Sequence, residues 1–278
     1  MAHGLTQHTL FFSDARLELE CDCEAVNDAI AADWGSARRP MLDTMKSHHL
    51  GVYATDTLTV TFDDEIVWSE PLDQTPTDPF EWVLYRKMFA EHHDRFGVLH
   101  GAAVVSNQIA WLLCGPSGAG KSSLSVAALR RGYDYYSDEF VVTDGSAIWG
   151  WPRTPHFGPP QRDTDRLPSW FADMGAPDEH GTHRRPVPHE QVAKAPTPAD
   201  RVHLVFIEQC STTALTPLEP MAALQSLSEA AFFESSVPFG KLVARGRTWR
   251  GVWRHPDEIL DALESATLHS LPAHCRDT

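Results

Sequence analysis

The sequence predicts an α/β fold, and three consecutive features predict it. Residues 109–114 form an unbroken apolar run, as expected of a strand that is covered on both faces. A glycine-rich segment follows at 115–120. Residues 122–131 then place apolar side chains at helical spacing and end in two arginines before Gly132, which is typical of a helix terminus. A buried strand, a glycine-rich turn and a helix in this order are typical of α/β sheets.

The glycine-rich segment matches the phosphate-binding pattern G-x-x-x-x-G-K-[ST] in full, over 115–122. Its glycines let several backbone N–H groups point into one concavity at the positive end of a helix. Lys121 is expected to reach the β/γ-phosphates, and the Ser122 hydroxyl is expected to ligate Mg²⁺. ATP or another nucleoside triphosphate, with Mg²⁺, is therefore the predicted cofactor. The residues predicted to contact it are Gly115, Pro116, Ser117, Gly118, Ala119, Gly120, Lys121, Ser122 and Ser123.

Composition excludes some classes of protein. With 278 residues, of which 42% are hydrophobic and 22% charged, the chain can bury a large core, and global disorder is not expected. The net charge of −15 argues against general nucleic-acid binding and permits a basic peptide partner. No apolar run has the length of a membrane span, and no signal peptide opens the chain. The five cysteines are odd in number and include no C-x-x-C pair, so a reduced, cytoplasmic protein without a membrane partner is predicted.

Two domains are predicted. Residues 1–95 have the pattern of a small α/β domain that would bind a substrate or partner. Residues 96–278 carry the phosphate loop, and the proline-rich stretch 150–200 within them is predicted to be a long loop on the substrate side. The predicted strands are 11–20, 52–53, 58–62, 66–68, 98–105, 133–142, 202–208, 242–244 and 249–253. The predicted helices are 22–33, 78–93, 216–232 and 256–266, with Asp22, Asp78 and Thr216 as caps.

Two adjacent carboxylates follow the loop. Asp138 and Glu139 come 16 and 17 residues after Ser122, at the predicted end of a strand. Such a pair suits phosphoryl transfer to a hydroxyl, since one carboxylate can ligate Mg²⁺ and the other can accept the hydroxyl proton. Glu208, which ends an apolar run, is an alternative metal contact. Three histidines of the proline-rich stretch could be imagined as a zinc site, but they lack matched partners at ligand spacing and are interpreted as solvated: His180, His183 and His189.

The order and spacing of four segments resemble the HPr kinase/phosphorylase superfamily, whose nucleotide core is similar to that of phosphoenolpyruvate carboxykinases. The segments are Leu99-His100-Gly101, 115–123, Arg131-Gly132 and Ser137-Asp138-Glu139. The resemblance covers about residues 98–145, with a looser similarity at 202–207 and 217–232. It looks closest to the compact HPr-kinase-related proteins, among them lasso-peptide precursor kinases. The resemblance implies a P-loop kinase core of the HPr kinase/PEP-carboxykinase type behind a small N-terminal α/β domain.

The resemblance implies a role for each residue that matches a family motif. It implies that Lys121 holds the β/γ-phosphates and that Asp138 is the general base on the acceptor hydroxyl. Glu139, in place of a second Asp, would ligate the metal together with Ser122. His100 would lie near the γ-phosphate or assist the acidic pair.

The chain also departs from the family. The region at 159–165 does not match the second family signature, whose Glu binds metal, although Asp163 or Asp165 could replace it. Phosphorylase activity and HPr itself as substrate are therefore not implied. Arg153 and Lys241 are candidate phosphate contacts, for which an exposed surface position is the default expectation.

The predicted function is an ATP-dependent kinase that transfers the γ-phosphoryl group to a hydroxyl, preferably a Ser of a peptide or small protein. Catalysis would depend on Asp138, His100 and Lys121. Two alternatives stay open: a kinase for a small-molecule hydroxyl, and a nucleotide-gated regulatory module with slow ATPase activity. The expected partner is a peptide or small protein, not nucleic acid or a membrane. Relatives of this kind are often oligomeric, which leaves a homo-oligomer open.

Overall fold

The computed structural model describes residues 5–12, 15–34, 46–71, 83, 86–87, 96–151, 153–157, 183–232 and 236–268. These residues form a five-stranded sheet, a nine-stranded sheet, a separate two-stranded ribbon and the helices packed on them. The mixed α/β class predicted from the sequence is confirmed. Among these residues, no helix combines the length and apolar character needed to cross a membrane.

The five-stranded sheet is formed by the N-terminal part of the chain, in the order β1-β2-β3-β4-β5. Its neighbours pair antiparallel except for β2 and β3, which are parallel and are joined through helix α1. The elements are β1 (Thr6–Phe12), β2 (Ala15–Cys21), α1 (Glu24–Trp34), β3 (Lys46–Ala54), β4 (Thr57–Phe62) and β5 (Glu65–Pro71). The sequence predicts a hairpin turn at Asp63 and Asp64; these residues do connect β4 to β5, and both have the positive φ that such hairpins require.

Two predictions for this region were wrong. The single strand predicted at 11–20 is a hairpin in which Phe12 lies opposite Ala15. The regular apolar–polar alternation covers only 15–20, which belongs to β2, and it is broken at Phe12 and Ser13, so the prediction joined residues of two strands. Asp22 does not cap α1, because its carboxylate accepts a hydrogen bond from the Ala54 backbone N–H at 2.7 Å.

The nine-stranded sheet has three parallel strands at its centre: β7 pairs with β14, and β14 with β16. Its order is β13-β10-β9-β6-β7-β14-β16-β15, with β8 also paired to β6. The strands are β6 (Gly97–Ser106), β7 (Ile109–Cys114), β8 (Asp134–Ser137), β9 (Phe140–Thr143), β10 (Ala147–Gly150), β13 (Thr197–Pro198), β14 (Val202–Gln209), β15 (Ala214–Pro217) and β16 (Arg247–Trp253). The ribbon consists of β11 (His156–Phe157) and β12 (His183–Arg184).

Helices cover both faces of the central strands. Because successive side chains of a strand point to opposite faces, β7 contributes Leu112 to one apolar cluster and Trp111 and Leu113 to the other. The second cluster contains the apolar sides of α2 (Lys121–Arg130) and α5 (Pro256–Leu268). The first contains those of α3 (Pro220–Ala230) and α4 (Ser236–Arg245), and it extends to the five-stranded sheet.

Other boundaries differ from prediction. The strand predicted at 242–244 belongs to α4, since a short apolar run does not distinguish a buried helix from a strand. Helix α3 begins at Pro220, and Thr216 belongs to β15 instead of capping the helix. Because Cys114 and Cys210 lie in or beside apolar runs, the sequence predicts that both are core residues; Cys114 is buried, but Cys210 is exposed.

Some predictions lie outside the described residues. Of the helix predicted at 78–93, only Val83, Arg86 and Lys87 are described, and they are helical. Most of the proline-rich stretch, including Asp163, Asp165 and His180, also lies outside. The division into domains at residue 95 stays a prediction.

Candidate functional site

The glycine-rich loop connects the end of β7 to the start of α2, as predicted. Gly118 and Gly120 have φ values of 81° and 94°, in the left-handed region that favours glycine. Gly120 is the N-cap of α2, and no side chain caps the helix there. The first-turn N–H groups of α2 are therefore left to bind an anion, which the helix dipole also favours.

A tryptophan from β16 supports this loop. The indole N–H of Trp253 donates a hydrogen bond to the Ala119 carbonyl at 3.0 Å, and the ring is 1% exposed. A Cβ atom on Gly120 would lie 2.0 Å from a ring carbon of Trp253. Trp253 reaches the loop because the parallel strands β7, β14 and β16 end at the same edge of the sheet. Sequence reasoning missed this residue, and only its place at a strand end could have indicated it.

The side chain of Lys121 contacts the start of the loop. Its ammonium donates hydrogen bonds to the carbonyls of Gly115, at 2.9 Å, and Pro116, at 3.3 Å. Burial lowers the pKa of Lys121, while the negative charges of Asp138 and Glu139 oppose that shift. The cation is thus kept inside the loop by acceptors that a phosphate could replace.

Strand β6 places His100 and the acidic pair beside this loop. Gly101 lies opposite Cys114 in the antiparallel β6–β7 pair, so His100 is level with the start of the loop. The backbone N–H of Gly101 donates to the Glu139 carbonyl at 3.1 Å. Ser137 fixes the turn between β8 and β9, because its hydroxyl accepts hydrogen bonds from the N–H groups of Glu139 and Phe140. The strand predicted at 133–142 is interrupted at this turn.

Asp138 is buried at 7% exposure, and its Oδ1 has no hydrogen-bond donor among the described residues. Burial raises the pKa of Asp138 to about 7, and the charge of Glu139 adds to this. Interactions with the hydroxyls of Ser122 and Ser125, and the charge of Lys121, oppose the rise. A carboxyl group whose pKa is near neutrality is suited to accept a proton there.

Glu139 bridges two basic side chains. Its Oε2 accepts a hydrogen bond from Nη1 of Arg153 at 3.2 Å, and its Oε1 lies 3.8 Å from Nε2 of His100. Arg153 is 9% exposed, so the default expectation of a surface arginine was wrong. Its guanidinium lies 5.7 Å from the centre of the Trp34 ring, which connects the acidic turn to α1. Strand β10 runs antiparallel to β9, with Gly150 opposite Val141, and this pairing returns the chain to the acidic turn at Arg153.

His100 is partly buried between charged groups. Burial lowers its pKa, the nearby charge of Lys121 lowers it further, and Glu139 opposes the shift. The neutral imidazole therefore predominates near neutral pH. Its ring centre lies 5.8 Å from that of Phe232, which follows α3.

A cavity of about 720 Å³ opens beside the loop. Its wall includes His100, Gly115 and Pro116 on one side and residues of β14 and the end of α3 on the other. Glu208, the alternative metal contact, also lines it and pairs with Arg250 at 3.3 Å. Lys241 does not line it and lies against Gly145 in the turn between β9 and β10.

The oxygen groups around the loop fit Mg²⁺. Within the described part of the chain, no cluster of three or more His, Cys, Asp or Glu could hold a metal ion alone. Mg²⁺ usually takes one or two carboxylates and completes its shell with water and nucleotide phosphates. The Ser122 hydroxyl and the carboxylates of Asp138 and Glu139 are donors of this kind, and the unpartnered Oδ1 of Asp138 is compatible with a nearby cation or hydroxyl. Glu139 would exchange its contact with Arg153 for such an ion.

Comparison with solved structures finds a distant similarity. Among solved structures, the chain is similar to the HPr(Ser) kinase/phosphatase from Coxiella burnetii at 15% sequence identity. The similarity covers 62% of this chain and 95% of that chain, with a TM-score of 0.32. A TM-score this low carries no argument about activity. No protein-family model matches the chain, and no curated protein matches it.

Proposed function

We propose that this chain is an ATP-dependent, Mg²⁺-requiring kinase that transfers the γ-phosphoryl group to a hydroxyl, preferably a Ser of a peptide or small protein. One observation carries the proposal: a buried carboxylate with an unpartnered oxygen, that of Asp138, lies next to the phosphate loop. Its electrostatic interactions with Lys121 and Ser122 indicate that donor-binding and proton-accepting groups share one site.

The donor half of the reaction would use the loop. Backbone N–H groups of 115–120 and of the first turn of α2 would hold the phosphates, as this loop pattern does. Lys121 would exchange the carbonyls of Gly115 and Pro116 for the β/γ-phosphate oxygens. Ser122 and Glu139 would hold Mg²⁺, which would neutralise charge on the phosphates.

The acceptor half would use Asp138. Its carboxylate would take the proton of the acceptor hydroxyl while the hydroxyl oxygen bonds to the γ-phosphorus. The bond from that phosphorus to the oxygen of the β-phosphate breaks, and ADP leaves. Since the pKa of Asp138 is about 7, a large fraction of the carboxyl groups is ionised at neutral pH. His100 and Arg153, both in contact with Glu139, would fix the position of the acidic turn.

The direct test is phosphoryl transfer from γ-labelled ATP to Ser-containing peptides and proteins, with Mg²⁺ present. Asp138→Asn should lower the transfer rate by about 10²- to 10⁴-fold, the usual contribution of a general base. Its affinity for a fluorescent ATP analogue should change little. Asp134→Asn is the matched control, since Asp134 is exposed at the start of β8. Equal rates for Asp138→Asn and the unchanged protein would reject Asp138 as the base.

A further inference from the structure

The cavity beside the loop has no assigned ligand. Its position relative to Lys121 indicates which part of the reaction it serves. The Lys of this loop pattern contacts the β- and γ-phosphates, and here its ammonium lies on the carbonyls of Gly115 and Pro116. The γ-phosphate is therefore expected at this end of the loop, and the nucleoside toward the first turn of α2. Gly115 and Pro116 are also part of the cavity wall.

The reaction geometry then points to the acceptor. In-line transfer places the attacking oxygen opposite the leaving oxygen, on the far side of the γ-phosphorus from the rest of the nucleotide. The cavity lies at that end of the loop. His100 lines it as well, and its Nε2 lies 3.8 Å from Oε1 of Glu139, so this one side chain separates the cavity from the acidic turn that contains Asp138.

The walls of the cavity combine apolar and acidic groups. Phe206, Leu218 and Phe232 supply apolar surface, and Phe232 is 41% exposed although it is aromatic. Among the described residues, two carboxylates line the cavity, Glu208 and Glu229, together with one guanidinium. That guanidinium, of Arg250, already pairs with Glu208.

Glu229 is therefore the charge that a ligand can use. Its hydrogen-bond partner is the neutral amide of Gln225, at 3.3 Å. The negative charge of the cavity has the same sign as the net charge of the whole chain, which is −15. A ligand with both an apolar and a cationic group complements such a surface.

The volume of the cavity is compatible with a short peptide as the acceptor. About 720 Å³ lies well inside the range of sites that enclose drug-sized molecules, and it exceeds what one free serine would fill. A short run of amino acids fits this volume.

We propose that this cavity binds a short peptide segment that carries the acceptor hydroxyl next to an apolar and a basic side chain. Phe232 and the residues around it would contact the apolar side chain, and Glu229 would pair with the basic one. This inference rests on the proposed kinase function for the role of the hydroxyl, whereas the binding itself does not require transfer.

Two labelled peptides test the inference by fluorescence anisotropy in the presence of Mg²⁺ and ADP. One is fluorescein-Gly-Lys-Phe-Ser-Leu-Lys, and the other has Glu in place of both Lys residues. The basic peptide should bind more tightly. Glu229→Gln should weaken its binding by about two- to fivefold, as expected for a partly exposed ion pair, and Glu229→Lys should reverse the preference between the peptides. Glu219→Lys is the matched control, because Glu219 is exposed at the opposite end of α3 and does not line the cavity.

A second variant tests the apolar contact. Phe232→Ala should weaken binding of both peptides and leave the affinity for a fluorescent ADP analogue unchanged. If Phe232→Ala weakens only the ADP analogue, the nucleoside occupies the cavity and the inference is wrong. The inference is also wrong if the two peptides bind equally and Glu229→Lys changes neither affinity. If peptide binding depends on the charge at Glu229 but no phosphoryl group is transferred from ATP, the peptide site is supported and the kinase function is rejected. Failure of the peptide site and failure of the kinase function are therefore distinguishable.

Discussion

The ion pair between Arg153 and Glu139 offers a quantitative test of how the acidic turn is held. The two side chains are 11% and 28% exposed, and the atoms Nη1 and Oε2 are 3.2 Å apart. Exposed pairs of this kind contribute about 0.2–1 kcal/mol, whereas breaking a fully buried pair costs about 3–5 kcal/mol. Since this pair lies between these limits, we expect a coupling free energy of about 1–2 kcal/mol between Arg153→Met and Glu139→Gln.

The measurement is a double-mutant cycle from urea unfolding of the four proteins. The control is the pair of Arg250 and Glu208, which has a similar separation of 3.3 Å but exposures of 62% and 65%. Its coupling between Arg250→Met and Glu208→Gln should be below about 0.5 kcal/mol. A coupling for Arg153 and Glu139 no larger than that of the control would refute the argument that burial strengthens the pair.

Two further predictions concern the loop and the core. Gly120→Ala should abolish binding of a fluorescent ATP analogue and lower the melting temperature, because the new Cβ atom would meet Trp253. Gly118 also has a positive φ, but the space around it is open, so Gly118→Ala should lower the free energy of unfolding by only about 1–2 kcal/mol. Burial lowers the pKa of His203 to about 4, below its ordinary value of 6.5. The unfolded chain therefore binds the extra proton first, and the free energy of unfolding should fall by about 3 kcal/mol as the pH decreases from 6.5 to 4. His203→Gln should remove most of this pH dependence in urea titrations. A melting temperature unchanged by Gly120→Ala, or an unchanged pH slope in His203→Gln, would contradict these arguments.

Much of the site was predictable because its parts are local in the sequence. The strand before the loop, the loop and helix α2 follow from consecutive residues, and the structure contains all three. Asp138 was selected as one of two adjacent carboxylates after the loop, and His100 through the resemblance to the HPr kinase family. Strand β6 brings both beside the loop. Their catalytic roles stay predictions.

The wrong predictions have a common physical cause. The apolar run at 242–244 belongs to a buried helix, and the segment predicted as one strand at 11–20 contributes to two antiparallel strands. In both cases the local pattern is compatible with two structures, and packing against the rest of the chain selects one. The exposed position of Cys210 is likewise decided by where β14 ends at the surface.

The sequence by itself determined the glycine-rich loop, because the φ angles of its glycines and the polarity of the adjacent strand and helix depend on neighbouring residues. Only the tertiary structure decided what surrounds that loop. Trp253 reaches Ala119 across 134 positions of the chain, and Arg153 connects Glu139 to Trp34. The order of strands in the sheet creates these contacts, and that order depends on the packing of the whole chain.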